Sequence, residues 1–195
     1  MDEASLIERI RNGESSAFQE FVESYRDRVF NTAIGLLQQR EDAEDITQEV
    51  FIEVYRSVAG FRGQSKLSTW IYRITVQKSL EFLRWKARKK RSGILLQLFG
   101  KEGKEAHPGL VHFDHPGVRL ENKERSAILF RAISKLPLNQ RTAFTLHKVE
   151  GLSYSEISGI IGVSLSSVES LMFRAKQNLQ QLLADYYDKN EKSRV

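Results

Sequence analysis

Apolar side chains recur every three or four positions along most of this chain, and that periodicity is compatible with few folds other than a helical one. One stripe covers residues 18–37, a second covers 46–58, and a third covers 67–83. The 195 residues include only three prolines, so little interrupts these stretches. The sequence therefore predicts an all-α fold, whose first long helices pack as an N-terminal helical bundle.

The periodicity is lost between residues 92 and 119, where glycine and proline are scattered. We expect a flexible linker there, although its apolar segment 94–99 could form a short helix or dock on a partner. The chain would then consist of an N-terminal domain over residues 1–91, a smaller all-α domain over 120–187 and a tail over 188–195. Helices of the second domain are expected at about 120–135, 138–149, 153–161 and 165–187.

The charge is unevenly distributed along the chain. Residues 1–60 carry six Lys or Arg against thirteen Asp or Glu, whereas residues 61–104 carry twelve against two. This asymmetry indicates two partners of opposite charge, or merely unevenly charged solvated faces. The chain has no cysteine, its first eleven residues do not resemble a signal peptide, and no apolar run reaches membrane-spanning length. We expect a cytoplasmic protein that does not insert into membranes.

The tightest local pattern lies in residues 151–174. Ser153 and Glu156 have capping-box spacing, Gly162 suits the end of that short helix, and Ser164 suits the start of the next. Two short helices joined by such a turn predict a helix-turn-helix, whose second helix enters the major groove of DNA; a plain helical hairpin is the alternative. The side chains expected to face DNA are Ser166, Ser167, Glu169, Ser170, Phe173 and Arg174.

Carboxylates are dense at the start of the second predicted helix. Asp42, Asp45 and Glu49 share one helical face, at steps of three and four. No histidine accompanies them, so a metal or acid–base site is not indicated. The face is either simply solvated or contacts a basic protein partner.

The segment 61–73 contains both aromatic and basic residues, and a basic run follows at 84–91. Bases of single-stranded nucleic acid stack on aromatic side chains while Arg and Lys follow the phosphates. Trp70 could equally be a core residue.

Together these motifs resemble the bacterial RNA polymerase sigma factors, in particular the small extracytoplasmic-function group (group 4 of the sigma-70 family). Residues 42–51 resemble that family's core-polymerase-binding motif, which docks on the clamp helices of the largest subunit. Residues 61–65 resemble the loop that captures a base flipped from the −10 promoter element, and 68–74 match the start of the helix that supports it. The helix-turn-helix at 151–174 is similar to the family's reader of the −35 element.

The resemblance implies a factor that binds core RNA polymerase and promoter DNA and is controlled by an anti-sigma protein. The residues it assigns to polymerase binding are Asp42, Asp45, Gln48 and Glu49. Those it assigns to the −10 element are Phe61, Arg62, Gln64, Ser65, Lys66, Arg73, Gln77, Lys78, Arg84 and Arg88. The chain departs from the family pattern at Gln64, where the loop often carries Asp, at Gln77 and Glu81, where Asn and Asp are common, and at Glu169 and Leu171, where many relatives have Lys and Arg. Glu169 could accept a hydrogen bond from a cytosine amine.

Other function classes are less well supported. The cluster His107, His112, Asp114 and His115 lies in the predicted linker without a frame to fix metal geometry, and no cofactor motif or catalytic constellation is present. We expect a protein that is not an enzyme and needs no metal or cofactor. The alternatives are a stand-alone helix-turn-helix regulator, with residues 1–91 as a dimerising or sensing module, and a pure protein-interaction bundle.

Overall fold

The structure is a computed structural model that describes residues 3–99 and 123–192, with side chains described for 3–89 and 128–184. Every regular element in this part of the chain is helical, so the all-α prediction is confirmed. The order is α1 (Glu3–Arg11), α2 (Ser15–Leu37), α3 (Arg40–Ser57), a 3₁₀ turn (Val58–Gly60), α4 (Leu67–Phe99), α5 (Lys123–Ser134), α6 (Leu138–Lys148), α7 (Tyr154–Ile161) and α8 (Leu165–Lys192).

Helices α2, α3 and α4 form the predicted bundle, and α1 packs on α2. Their periodic apolar residues form one core in which Phe21, Val29 and Val50 are fully buried. The guanidinium of Arg11 donates to the carbonyl oxygens of Val58 and Phe61. That contact fixes the segment between α3 and α4 to the end of α1, and so positions the exposed loop that follows.

The second helical unit is built around α8. Ala132, Ile133 and Leu136 from the α5 end pack against Ala175 and Leu179 of α8. Gln140 of α6 accepts a hydrogen bond from Asn178 of α8 at 2.8 Å. These contacts fix the rotation of α8 about its own axis, which decides which of its side chains remain exposed.

Two boundaries differ from the sequence predictions. Helix α4 continues to Phe99, so residues 92–99 are helical where a linker was expected, and α8 continues to Lys192 into the expected tail. Ile, Leu and Gln dominate 94–98, and a single glycine inside a helix costs only about 1 kcal/mol relative to alanine. The rest of the expected linker up to residue 119, including the histidine cluster, lies outside the described residues.

The two helical units are packed directly against each other. Leu36 of α2 and Tyr72 and Val76 of α4 belong to one buried cluster with Leu146 of α6 and Ile157 of α7. The sequence predicted two helical domains joined by a linker and gave no indication of a contact between them. The shared cluster shows that each unit contributes apolar side chains to the other.

Among the described helices, no single one is long and apolar enough to cross a membrane. Helices α7 and α8 meet the length and composition requirement only as a pair bent by 105°.

Candidate nucleic-acid and protein interfaces

The helix-turn-helix is formed by α7 and α8 and has the predicted caps. The Ser153 hydroxyl accepts from the Glu156 backbone N–H at 3.3 Å, and the Glu156 carboxylate accepts from the Ser153 backbone N–H at 3.0 Å. The hydrogen bonds that the Glu156 carboxylate accepts from the backbone N–H and from the hydroxyl of Ser153 hold the pKa of Glu156 below its ordinary value. Gly162 ends α7 with a φ of 71°, and the Ser164 hydroxyl accepts from the Ser167 backbone N–H at 3.2 Å at the start of α8.

Helix α8 turns one face inward and leaves the other free. Val168 and Met172 are buried in the cluster shared by the two units. All of the residues predicted to face DNA are exposed, and Phe173 retains 63% of its accessible surface. Such an exposed aromatic side chain on a recognition helix can contact a thymine methyl group, while a neighbouring arginine contacts guanine. The packing of α8 thus presents one continuous polar and aromatic face.

The loop between α3 and α4 contains predicted −10 residues of two kinds: some side chains pack inward and others are exposed. Phe61 is half-buried and packs against Trp70, with ring centroids 4.9 Å apart and ring planes inclined by 38°. Trp70 itself packs against the bundle core, which favours the core interpretation over a base-stacking one. Arg62 and Gln64 are exposed. Ser65, between Gln64 and Lys66, is half-buried. Phe61 therefore supports the loop by packing against the bundle, and its ring is not free to contact DNA.

Helix α4 carries an exposed stripe of predicted contacts, Arg73, Gln77, Arg84 and Arg88, at steps that keep them on one face. The Gln77 amide donates to the Glu81 carboxylate at 3.0 Å, one turn along this stripe. Lys78 is on another face, where its ammonium pairs with Glu53 of α3 at 3.0 Å. The stripe and the loop together form a basic edge of the bundle. Lys78 is not part of this edge.

The predicted polymerase-binding residues of α3 also differ in their exposure. Asp45, Gln48 and Glu49 are exposed, whereas Asp42 is half-buried and pairs with Lys86 of α4 at 2.5 Å. Asp42 therefore helps to join α3 to α4 in this structure.

Sequence reasoning missed two apolar residues on the exposed side of α3. Ile52 and Tyr55 retain 51% and 59% of their accessible surface, and they continue the line of Asp45 and Gln48 at steps of three and four. The signal was present in that spacing. It was overlooked although both residues lie outside the apolar stripe of Ile46, Val50, Phe51, Val54 and Val58.

A third missed residue is Trp85, which lies in the basic run and retains 47% of its accessible surface. The Lys89 ammonium lies 5.1 Å from the Trp85 ring centroid. Trp85 also lines an open groove of about 510 Å³ between α3 and α4, together with Glu49, Phe82 and Arg88. This groove lies where the predicted polymerase-binding and DNA-binding residues approach each other.

Comparisons with known proteins assign the chain to a family. Residues 21–89 match the family described as sigma-70 region 2, and residues 123–179 match sigma-70 region 4. The extracytoplasmic-function (ECF) RNA polymerase sigma-E factor of Haemophilus influenzae is 33% identical over 92% of this chain and 94% of its own length. The chain is an RNA polymerase sigma factor of the extracytoplasmic-function type. It directs promoter-specific initiation of transcription with core RNA polymerase, and the stand-alone regulator is not favoured.

Other relatives agree with this assignment. The corresponding sigma-E factor of Escherichia coli is 33% identical over 88% of this sigma factor and 89% of its own length. RNA polymerase sigma-H factor of Pseudomonas aeruginosa is 30% identical over 91% and 92%. Sigma factors are not enzymes in the usual sense.

Two solved structures share the fold. One is CnrH in complex with the cytosolic domain of CnrY, with a TM-score of 0.65 and 20% identity over 92% of this chain and 96% of that one. The other is the sigma factor RpoE of Bartonella quintana in complex with the anti-sigma factor NepR, with a TM-score of 0.65 and 22% identity over 86% and 96%.

Two of the predicted −10 residues of this sigma factor contact its own helix-turn-helix. The Lys66 ammonium pairs with Glu156 at 3.2 Å, and the Arg73 guanidinium donates to the Gly159 carbonyl oxygen at 2.7 Å. Next to them, the Tyr72 hydroxyl donates to the Glu150 carboxylate at 2.7 Å. Glu150 precedes α7, so all three contacts join the region 2 unit to the region 4 unit.

Burial between the units raises the pKa of Glu150 above its ordinary value of 4.5, although the Tyr72 hydroxyl and the charge of Arg28 oppose that shift. The same burial, together with the Glu150 charge, raises the pKa of the Tyr72 hydroxyl. A group whose pKa is raised by folding adds stability below its unfolded pKa, and that stability is lost as pH rises through the folded pKa. Ionisation of the Glu150 carboxylate, above its raised pKa, therefore weakens this interface.

We expect Glu150→Gln to raise the thermal midpoint of the sigma factor at a pH above the raised pKa of Glu150, because glutamine keeps an acceptor for Tyr72 without a buried charge. The difference from wild type should shrink as pH falls through the raised pKa of Glu150, where the wild-type side chain is itself neutral. Circular-dichroism melts across a pH series would measure both effects. Glu23→Gln, at an exposed position, is the matched control. A difference that stays constant with pH would contradict the assignment.

Proposed function

We propose that residues 1–91 bind core polymerase and read the −10 element, and that residues 120–187 read the −35 element as duplex DNA. The observation that carries this division is the orientation of α8. Its buried residues hold it in the region 4 unit while its predicted contacts, from Ser166 to Arg174, all remain exposed. A recognition helix needs such a free face near its N-terminus in order to enter the major groove.

The proposed polymerase face consists of Asp45, Gln48 and Glu49. These side chains are exposed and lie in the first sixty residues, where acidic residues outnumber basic ones. Exposed Ile52 and Tyr55 continue the same line, and an apolar patch beside charged residues is typical of protein interfaces. Asp42 contributes indirectly, by its ion pair with Lys86.

The proposed −10 surface consists of the loop 61–66 and the α4 stripe. Arg62 and Gln64 are exposed at the loop, where a flipped base would be held by hydrogen bonds and stacking. Arg84 and Arg88 are exposed further along α4 and would bind phosphates of the adjoining DNA. We propose Phe61 as a support for the loop.

Transcription in vitro tests the proposed function most directly. Core polymerase with this chain should produce promoter-dependent transcripts from genomic templates, and core polymerase alone should not. A stand-alone regulator would instead bind duplex DNA tightly without polymerase. Absence of defined transcripts, together with tight specific binding by the isolated chain, would overturn the sigma proposal and support the regulator.

We also propose an anti-sigma protein as a partner, since the Bartonella quintana sigma factor of the same fold is found with the anti-sigma factor NepR. The site of action would be the cytoplasm, where polymerase and DNA are located; the absence of cysteine supports this. We propose no catalytic activity, because the relatives of this chain are sigma factors, which are not enzymes in the usual sense.

A further inference from the structure

We propose that α1 holds the loop 61–66 in the geometry that reads the −10 element, with Glu3 and Arg11 as positioning residues for the two ends of that loop. This inference rests on the proposed function, because it takes the loop as part of the −10 surface. Helix α1 lies outside the residues that match sigma-70 region 2, which begin at residue 21. Neither Glu3 nor Arg11 is among the residues that the family motifs assign to promoter DNA.

The first end of the loop is held by Arg11, the last residue of α1. Its Nε donates to the Val58 carbonyl oxygen at 3.4 Å, and one of its terminal nitrogens donates to the Phe61 carbonyl oxygen. The Phe61 backbone N–H donates to the same Val58 carbonyl oxygen, at 3.1 Å. A guanidinium can bridge two carbonyl groups in this way because its donors form a rigid fork. Arg11 thus closes the turn through which the chain leaves α3 and enters the loop.

The second end of the loop is the N-terminus of α4, where the first backbone N–H groups have no partner within the helix. Lys66 precedes the first residue of α4, and a lysine side chain has no acceptor with which to cap a helix. The cap comes instead from α1, because Glu3 Oε2 accepts from the Leu67 backbone N–H at 3.4 Å. The helix dipole also favours a carboxylate at this end of α4. Glu3 therefore fixes the point at which the loop ends and α4 begins.

The Glu3 carboxylate is itself held by Tyr25 of α2. The Tyr25 hydroxyl donates to Glu3 Oε1 at 3.2 Å, and Tyr25 is buried in the bundle core. Burial, together with the charge of Glu3, raises the pKa of Tyr25 to about 12. The hydroxyl therefore keeps its proton at physiological pH and remains a donor. One carboxylate oxygen of Glu3 is thus bound to α2 and the other to α4.

Helix α1 is attached to the bundle firmly enough to act as a frame for the loop. Its nine residues are too few for an isolated helix to be stable, so tertiary contacts must hold it. Ile10 is buried in the core that also contains Val58 and Leu67, which flank the loop. The Arg9 guanidinium donates to the Glu20 carboxylate of α2 at 3.0 Å. These contacts connect α1 to α2 and to both ends of the loop.

The residues between the two anchored ends are open to solvent. Arg62, Gly63 and Gln64 are exposed, and a Cβ atom at Gly63 would have nothing within 4 Å. Ordering such a segment at the moment of binding costs affinity, and holding it in place beforehand lowers that cost. Helix α1 should therefore contribute to discrimination between bases by positioning the loop from behind.

Hydrogen exchange of backbone amides in the free, full-length chain tests the two anchors separately. The Phe61 amide reports the end held by Arg11, the Leu67 amide reports the end held by Glu3, and the Val50 amide in the bundle core reports global unfolding. Glu3→Ala should accelerate exchange at Leu67 about fivefold, which corresponds to the ~1 kcal/mol typical of a helix cap, and should affect Phe61 little. Arg11→Ala should accelerate exchange at Phe61 and affect Leu67 little. Unchanged rates at both ends, or an equal rise at all three amides, would contradict the proposed anchoring.

A conservative substitution separates the hydrogen bond of Glu3 from its charge. Glu3→Gln keeps an acceptor for the Leu67 N–H and for Tyr25 but removes the charge, so its exchange rate at Leu67 should stay close to that of the wild type. Glu8→Ala is the matched control, because Glu8 is exposed on the same helix, and it should change neither end of the loop. If Glu3→Gln behaved like Glu3→Ala, the hydrogen bond would not be the cause, and Glu3 would not be a positioning residue.

Transcription by the holoenzyme tests whether the geometry of the loop matters for promoter reading. In a library of promoters with a randomised −10 element, the position captured by the loop is the one at which Gln64→Ala relaxes the base preference. Glu3→Ala and Arg11→Ala should relax the preference at that same position several-fold and leave the preferences within the −35 element unchanged. Arg131→Ala, which removes an exposed arginine of α5, is the control for loss of charge and should keep the wild-type preference.

The outcomes separate a positioning role from a structural one, and this proposal from the proposed function. A uniform loss of transcription on every promoter, with the base preference intact, would show that α1 only stabilises the fold and would overturn the proposal. If the wild-type chain gave no promoter-dependent transcripts, the proposed function would fail. The exchange rates at Phe61 and Leu67 would still show whether α1 holds the loop.

Discussion

Replacing both Asp45 and Glu49 by lysine should abolish association of the sigma factor with core polymerase. Both side chains are exposed on α3, so the substitution changes the surface charge by four units and leaves the bundle core intact. Like charges brought together at an interface cost several kcal/mol, and each 1.4 kcal/mol is a factor of ten in affinity. The expected loss is therefore at least a hundredfold. Co-elution with core polymerase at near-physiological salt would measure it, and promoter-dependent transcription should fall in parallel.

The control is a variant with the same change of charge elsewhere. Glu8 and Glu23 are exposed on α1 and α2, away from the proposed polymerase face, and replacing both by lysine should leave co-elution close to wild type. Thermal melts should show that both double variants are folded. Retained co-elution of the Asp45 and Glu49 variant would show that polymerase binds another surface. Equal loss in both variants would show that only total charge matters.

The helix-turn-helix could be predicted almost completely from the sequence because its determinants are local. Ser153 and Glu156 are three residues apart, and each satisfies a backbone group within the same helical turn. Gly162 relieves the strain of a left-handed residue at the position where α7 ends. Such signals act within a few residues, so no knowledge of tertiary packing is needed to interpret them.

The inward orientation of Asp42 and Lys78 could not be predicted in the same way. Each lies on a helix whose periodicity was correctly interpreted, yet the pairs Asp42–Lys86 and Lys78–Glu53 depend on the relative position of α3 and α4. Residues more than twenty positions apart determine that packing. A helical face inferred from spacing shows which residues are neighbours, but not which neighbouring helix they meet.

The contact between the two helical units could not be predicted from the sequence either. Gly35 of α2 lies against Thr145 of α6, yet the two are separated by the whole expected linker, and neither residue has an unusual local context. Leu36, Tyr72 and Val76 do not belong to the apolar stripes that predict the N-terminal bundle. The structure shows that they pack on the second unit, and spacing along the sequence gives no information about such a partner.

Replacing Arg174 by alanine should reduce transcription from promoters with an intact −35 element by about 5- to 150-fold. That range corresponds to the ~1–3 kcal/mol that a good arginine–guanine contact contributes to discrimination. Burial of Val168 and Met172 and of Ala175 and Leu179 fixes the rotation of α8, so Arg174 stands on its outward face next to Phe173. Competitive transcription from templates with intact and scrambled −35 elements would measure the effect.

Lys176→Ala provides the charge-matched control, since Lys176 is exposed two residues further along α8 and therefore faces a different direction. It should lower transcription little. If Arg174 contacts a base edge, its loss should be large on the intact −35 element and small on the scrambled one. A phosphate contact would instead weaken both templates alike and lower the salt dependence of binding by about one unit of slope. Unchanged activity of Arg174→Ala on the intact element would mean that α8 enters the groove with another face.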